Sequence, residues 1–331
     1  MGDFRNRTHS AAKIGAEKQN LQAEMRPNLT PTFTERLGQI QTPEVRHLVW
    51  ALGSPPLMTQ HKSWPFSILD EDWFERTLAR RWPWLMALDN SPEPLLEHLA
   101  SGPQLLGKRF ERLLAFHFQA DPEFKVLHAG WPIHASGKGK GGTIGEFDFL
   151  LKHLPSGQTW HLEVACKFYL AERNSASWAT FKGPNARDTL SGKMDKLVQQ
   201  LALSDRPEAA AALSAEHIRV DERVLLLKGG LFHHISDIHR AKPPLHAHKN
   251  YPTGWWIRQG EWEQLLADSG AARIFSLSKP DWMGGQSGDL LTEPPRRPGL
   301  CARAFPAPDG LSPRVELDRG FIVPDKWPLW T

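Results

Sequence analysis

The stretch Gly145–Leu170, GEFDFLLKHLPSGQTWHLEVACKFYL, decides the reading of this chain. It divides into two strands around the turn-forming run Pro155-Ser156-Gly157-Gln158. The first strand, Gly145 to Leu151, alternates acidic and apolar residues. The second, Trp160 to Phe168, carries Glu163 and Lys167 among apolar neighbours. Acids and a lysine in otherwise hydrophobic strands are costly to bury without partners. A hairpin centred between Ser156 and Gly157 sets Asp148 opposite Ala165 and Glu146 opposite Lys167. Glu146, Asp148, Glu163 and Lys167 are then predicted to share one face. Phe147, Phe149, Val164, Cys166 and Phe168 take the other.

Closely spaced carboxylates make a hard-oxygen site for a divalent cation such as magnesium. A bound cation can activate water and neutralise charge on a phosphoryl group, and a neighbouring lysine can stabilise the developing charge. Such a face suits metal-assisted phosphodiester hydrolysis. The competing reading is a pair of cross-strand salt bridges, Glu146 with Lys167 and Asp148 with another base. Spacing alone leaves both open.

The chain of 331 residues is long enough for a sizeable core. No apolar stretch reaches the length of a membrane span, and the N-terminus lacks the apolar segment of a secretory signal. Cys166 and Cys301 are its two cysteines. Cys166 falls on the apolar face, so a free buried thiol and a cytoplasmic location are expected. The net charge of +3 is unevenly placed. Residues 108–196 carry 13 Lys/Arg against 9 Asp/Glu, whereas the flanking regions are balanced to within one charge. A basic surround for an acidic centre suits a polyanion.

Residues 1–25 are expected to be a disordered leader. From 26 to 103 the pattern is short helices broken by proline. Thr42-Pro43-Glu44 opens one of them, Pro55-Pro56 stops it, and Asp70–Leu78 and Pro94–Leu99 follow. Residues 104–119 form an amphipathic helix with Leu106, Phe110, Leu113, Leu114 and His117 on its apolar stripe and Glu111 at its border. Glu111 has the ordinary alternative of pairing with Lys108 or Arg112. Phe124–His134 is a predicted strand. The glycine-rich run 136–142 contains Lys138 and Lys140 but does not match a phosphate-binding loop. It is either a backbone clamp or a plain hairpin tip.

Arg187–Ser204 is the next helix, with Lys193, Lys196 and Gln200 on a stripe beside its core face. These three are candidate substrate contacts, against the commoner reading of a solvated face. Arg223–Lys228 is a buried strand. His233, His234, His239, His246 and His248 match no zinc pattern. Gly254–Ile257 is a strand, Glu261–Ala267 a helix and Glu293–Pro313 a long proline-rich loop. Ile322–Leu329 packs back through Trp327 and Trp330.

The order from Gln104, helix, strand, strand, strand, helix, strand, resembles the PD-(D/E)XK nuclease superfamily. It has an acid in the first helix, one on the middle strand, and an acid plus lysine on the third. More narrowly, the chain resembles the DUF1853 family of bacterial proteins, which is grouped with that superfamily. The matching segments are LGKRFERLLAFHF at 106–118, GEFDFLL at 145–151, HLEVACKFYL at 161–170, GPNARDTLSGKMDKLVQQLALS at 183–204, LLLKGGLF at 225–232 and GWW at 254–256.

The resemblance implies an α/β protein with a restriction-endonuclease-like core, α-β-β-β-α-β, its mixed sheet flanked by helices. The core would span 104–232, after an N-terminal helical region at 26–103 and before a mixed C-terminal extension at 233–331. It further implies a nuclease acting on DNA, or RNA, with Mg2+ or Mn2+ and possible homodimer formation. Asp148 resembles the metal-ligating aspartate, Lys167 the third-strand lysine, Glu111 the first-helix glutamate and Gln200 the polar residue of the following helix. One position departs: the acid normally two residues before the lysine is Ala165 here. Glu163 lies two residues further back, about 7 Å along the strand, and is the second expected metal ligand. The alternative is a degenerate nuclease-like fold that binds nucleic acid or a protein without cleaving.

Overall fold

The computed structural model describes residues 32–103, 105–135, 142–286, 288–305 and 315–329. The expected leader, Lys138, Lys140 and Trp330 lie outside them. The chain divides into two units, Met1–Gln39 and Ile40–Thr331. In the first, helix α1 (Phe33–Gln39) opens on a reciprocal cap: the Thr32 amide donates to Glu35 Oε2, and the Glu35 amide to Thr32 Oγ1.

The second unit is α/β, a ten-stranded mixed sheet flanked by helices. Its strands are β1 (Ser67–Ile68), β2 (Phe124–His134), β3 (Thr143–His153), β4 (Gln158–Ala171), β5 (Phe181–Lys182), β6 (Glu222–His234), β7 (Thr253–Arg258), β8 (Arg273–Ser276), β9 (Gly299–Phe305) and β10 (Val315–Val323). The order is β2-β3-β4-β6-β7-β10-β9-β8, with β1 on β6 and β5 on β4. The middle, from β4 to β10, is parallel and both flanks are antiparallel. The sheet runs on unbroken past residue 232, since Leu231–His234 pairs with Thr253–Trp256.

The helices are α2 (Pro43–Gly53), α3 (Glu71–Asn90), α4 (Glu93–Ala100), α5 (Leu106–Ala120), α6 (Leu190–Leu201), α7 (Pro207–Ala215) and α8 (Trp262–Ser269). Alternation along β4 separates the two sides of the sheet. Ala165, Tyr169 and Ala171 pack with Leu190, Met194, Leu197 and Leu201 of α6. On the other side Phe168 stacks on Trp50 of α2 at 6.4 Å, and Phe149 of β3 meets Phe118 of α5 at 5.5 Å.

Several expectations are corrected. Helix α3 runs 20 residues through Pro83 rather than stopping near Leu78. Pro83 is exposed, so solvent can satisfy the backbone group its ring leaves unpaired. Thr42 begins α2 without a side-chain cap. Its Oγ1 instead donates to Asp89 O, while the Asp89 carboxylate takes the amides of Gln41 and Thr42. The proline-rich segment 293–313 contains β9, which pairs with β10. Pro298 falls just before the strand, where no ladder amide is lost.

The hairpin register also differs. His153 pairs with Gln158 and Phe149 with Leu162, so the pivot lies between Pro155 and Ser156. Gly157, at φ +68, is the left-handed residue that closes the loop, so it belongs to the turn and not to the strand. The shift brings Glu163, rather than Ala165, level with Asp148.

Candidate functional site

The β3/β4 ladder ends at Phe149 and Leu162. Beyond it β3 stays with β2, while β4 stays with β6 as far as Leu170. The strands therefore fork, and two side chains take over where ladder bonds stop. The Val164 amide donates to Asp148 Oδ2 at 3.0 Å, and the Asp148 amide to Glu163 Oε1 at 3.4 Å.

The four predicted residues do not share one face. Side-chain alternation breaks at Asp148–Phe149: Phe147 and Leu150 both join a cluster with Leu203 and Leu213, whereas Phe149 points at α5. Asp148 lies with Glu146 and Glu111, their carboxylate oxygens within 4.8 Å of one another. Glu163 and Lys167 follow the alternation of Ala165 and Tyr169, toward α6. The fork is where the two sides meet.

Among the described residues, neither salt bridge of the competing reading forms. Glu146 pairs with Lys108 Nζ at 3.3 Å, and Glu111 with the same ammonium at 2.6 Å. Lys167 Nζ lies 3.1 Å from Asp188 Oδ2, which also accepts from the Tyr169 hydroxyl at 3.3 Å. Gly229 shapes this end of β4. Its φ is +139, and a Cβ there would stand 1.6 Å from the Lys167 carbonyl oxygen, so only glycine fits the strand beside the lysine.

Glu163 is fully buried, and its Oε2 has no hydrogen-bond partner. Its Oε1 lies 2.9 Å from His161 Nε2. Burial holds the His161 imidazole down at about 4, so the ring is neutral near pH 7 and can donate Nε2–H to the carboxylate. Burial also pushes the Glu163 carboxyl up to about 7. Asp148 is pushed up to about 7 by burial and then by the negative charge of Glu163. Glu111 is raised by burial as well, partly offset by its hydrogen bond from Lys108. Two adjacent buried carboxylates gain from a cation or a shared proton.

On α6, Lys193 is half-buried. Burial and then the positive charge of Lys167 lower its affinity for a proton, and the charges of Asp148 and Glu163 act against them. Gln200 is half-buried with its Oε1 unpartnered, and Lys196 is exposed on the same helix. The helix begins at Leu190, where the Thr189 side chain accepts the Gly192 amide.

The structure adds His161 to the residues singled out by sequence, and it sets Glu146 beside Glu111 and Asp148 rather than opposite Lys167. His161 was findable, since it stands two residues before Glu163 and so shares its side of the strand. The histidines of 233–248 disperse: His233 faces the Tyr251 hydroxyl, His234 pairs with Glu261, and His248 with Glu71. Among the described residues, Glu111, Glu146 and Asp148 are the one group of three or more placed to share a metal ion. No helix is long and apolar enough to cross a membrane among those residues.

No curated protein and no solved structure matches the chain. The family model described as "Domain of unknown function (DUF1853)" matches residues 46–297, most of the chain, which therefore belongs to that family.

Proposed function

We propose that this protein is a divalent-metal-dependent nuclease acting on DNA, or on RNA, with its centre at the β3/β4 fork and a restriction-endonuclease-like core of the PD-(D/E)XK kind. The order α5-β2-β3-β4-α6-β6, with the short β5 before α6 and α7 after it, supports the fold reading. One observation carries the chemistry: Asp148 and Glu163 are joined across the fork by a side-chain-to-backbone bond, and the enclosed Glu163 Oε2 has nothing to bind.

The donor set fits a metal. All the candidate ligands are carboxylate oxygens, the preference of Mg2+ and Mn2+. Asp148 and Glu163 would hold the ion, with Glu111 as an outer ligand. The bound cation supplies an activated water and offsets charge on the phosphoryl group. Neutral His161 orients Glu163 by donating to Oε1 and leaves Oε2 for the metal. Lys193 is the ammonium whose charge acts on both carboxylates, and Lys167 stands at the fork's open end, turned to Asp188. Both are suited to meet phosphate oxygens, with the exposed Lys196 and the half-buried Gln200 further along α6.

A second reading is favoured by the Lys167–Asp188 pair together with Ala165: a nuclease-like fold that binds nucleic acid without cutting. The deciding experiment incubates wild type and Asp148→Ala with plasmid, linear duplex, single-stranded DNA and RNA, with Mg2+ and with Mn2+. Cleavage by wild type alone supports the nuclease. Salt-sensitive binding with no cleavage by either protein supports the second reading.

A further inference from the structure

Beyond the far end of β4, three loops bring four rings together. The rings of His61 and His246 stand 4.2 Å apart, and Trp64 lies 5.8 Å from His246 and 6.2 Å from Trp178. All four are half-buried, and the neighbouring Leu245 is 62 % exposed. The loops are braced through backbone and amide groups. The Thr59 amide donates to His246 O, the Leu245 amide to Ala176 O, and the Asn174 side chain donates to Arg240 O and accepts the Lys242 amide. Trp178 adds Nε1–H to Leu245 O at 2.7 Å. His246 holds a left-handed backbone, φ +61, which a residue other than glycine adopts at a cost. The patch is thus preformed, and apolar patches rimmed by charge mark interaction surfaces.

The charge on that rim is positive. Within residues 59–65, 172–178 and 237–246 the acids are Glu172 and Asp237, and they are taken by Lys182 and Arg240. Lys62, Arg173 and Lys242 are exposed and, among the described residues, have no ion pair. Other acids lie at the margins. Asp221 and Glu222, beside Trp64, accept from the Thr159 amide and the Ser67 hydroxyl, and Asp70 to Asp72 line a neighbouring cavity with His248 and Lys249.

We propose that this patch binds single-stranded nucleic acid: unpaired bases stack on Trp64 and Trp178 while Lys62, Arg173 and Lys242 meet the flanking phosphates. The proposal rests on the nuclease reading of the fork and adds the course of the strand away from it. Trp64 and Trp178 pack on the same core as Ala165, Tyr169 and α6, so the patch and Glu163 lie on one side of the sheet. Glu163 and Ala171 are eight residues apart on β4, about 26 Å, with Lys167 between them. The Glu172 amide donates to Thr180 O and so ties the Trp178 loop to the end of that strand. A duplex keeps its bases stacked on one another, so the rings select a single strand.

The test is fluorescence anisotropy with a labelled oligothymidine, an abasic oligomer of equal length and a duplex, without divalent metal so that nothing is cut. The full chain is compared with Trp64→Leu, Trp178→Leu and the triple variant Lys62→Glu, Arg173→Glu, Lys242→Glu, each checked for folding by circular dichroism. Wild type should bind oligothymidine about tenfold more tightly than the abasic chain, and both Trp variants should lose that preference. The triple variant, changed only at exposed side chains, should bind both oligomers about tenfold more weakly. Equal affinity of wild type for oligothymidine and for the abasic chain or the duplex would overturn the proposal. So would Trp variants that keep the preference, or a triple variant that binds as wild type does. Mg2+-dependent cleavage by wild type beside any of those results would leave the fork reading standing without this surface.

Discussion

Two sets of ionisable side chains lie inside the sheet, and they are built differently. Lys228, on β6, is fully buried: its ammonium nitrogen donates to the Ser54 carbonyl and stands 3.0 Å from the centroid of the Phe74 ring. Burial drives its proton affinity well below the usual lysine range. The acids at the fork are also shifted toward their neutral forms by burial. Lys228 is sealed, however, whereas Glu163 keeps an oxygen without a partner and Asp148 adjoins the partly exposed Glu111 and Glu146. A perturbed proton affinity therefore does not mark a functional site by itself. An unused binding atom next to partly exposed acids is the better sign.

The largest expected effect sets the two regions directly against each other. Asp148→Ala should lower metal-dependent cleavage by about 100-fold or more, ~2.7 kcal/mol of barrier, while its melting temperature stays level or rises. Lys228→Met should leave cleavage at the wild-type rate. A reversed pattern breaks the comparison.

Stability should respond in the opposite place. Lys228→Ala removes a long buried stem and should cost ~2–4 kcal/mol in urea unfolding. Lys228→Met keeps the stem without the polar end and should be neutral or stabilising by ~1–3 kcal/mol.

A smaller effect should come from cations. Millimolar Mg2+ or Mn2+ should raise the wild-type melting temperature by a few degrees through binding to the folded state, and should not do so for Asp148→Asn. An equal shift in both proteins would mean that the ions act elsewhere.

The smallest effect is a pH slope. The unfolded chain holds the Lys228 proton up to about its ordinary value of 10.5, whereas the folded chain releases it well below that. The unfolded state therefore binds more protons in that window, so Lys228's contribution to stability grows as pH rises toward 10.5. Urea midpoints at neutral and alkaline pH should show that slope in wild type and a flatter one in Lys228→Met.

Much of the fold around the site is legible in the sequence. The apolar stripe of 106–118 and the β2, β3, β4 and β6 strands follow from local periodicity, and the polar residues of β3 and β4 stand out against it. The register was not legible, because it depends on whether Gly157 serves the strand or the turn, a backbone angle that the residue types leave open. The helix Pro207–Ala215 went unread because PEAAAALSA carries little apolar contrast between its faces. The pairing of Lys167 with Asp188 joins residues 21 apart through a loop, which no local pattern encodes.

The amphipathic elements, the acids Glu111, Glu146, Asp148 and Glu163 and the lysines near them can be read from the residues alone, since each follows from the chain's own alternation of polar and apolar residues. That β3 and β4 part after Phe149 and Leu162, that the alternation breaks at Asp148, and that Lys108 enters the acidic cluster emerge once the chain is folded. Those outcomes depend on where β2, β6 and the helices on both sides hold each strand. Non-local packing sets them, and it is not written in either strand alone.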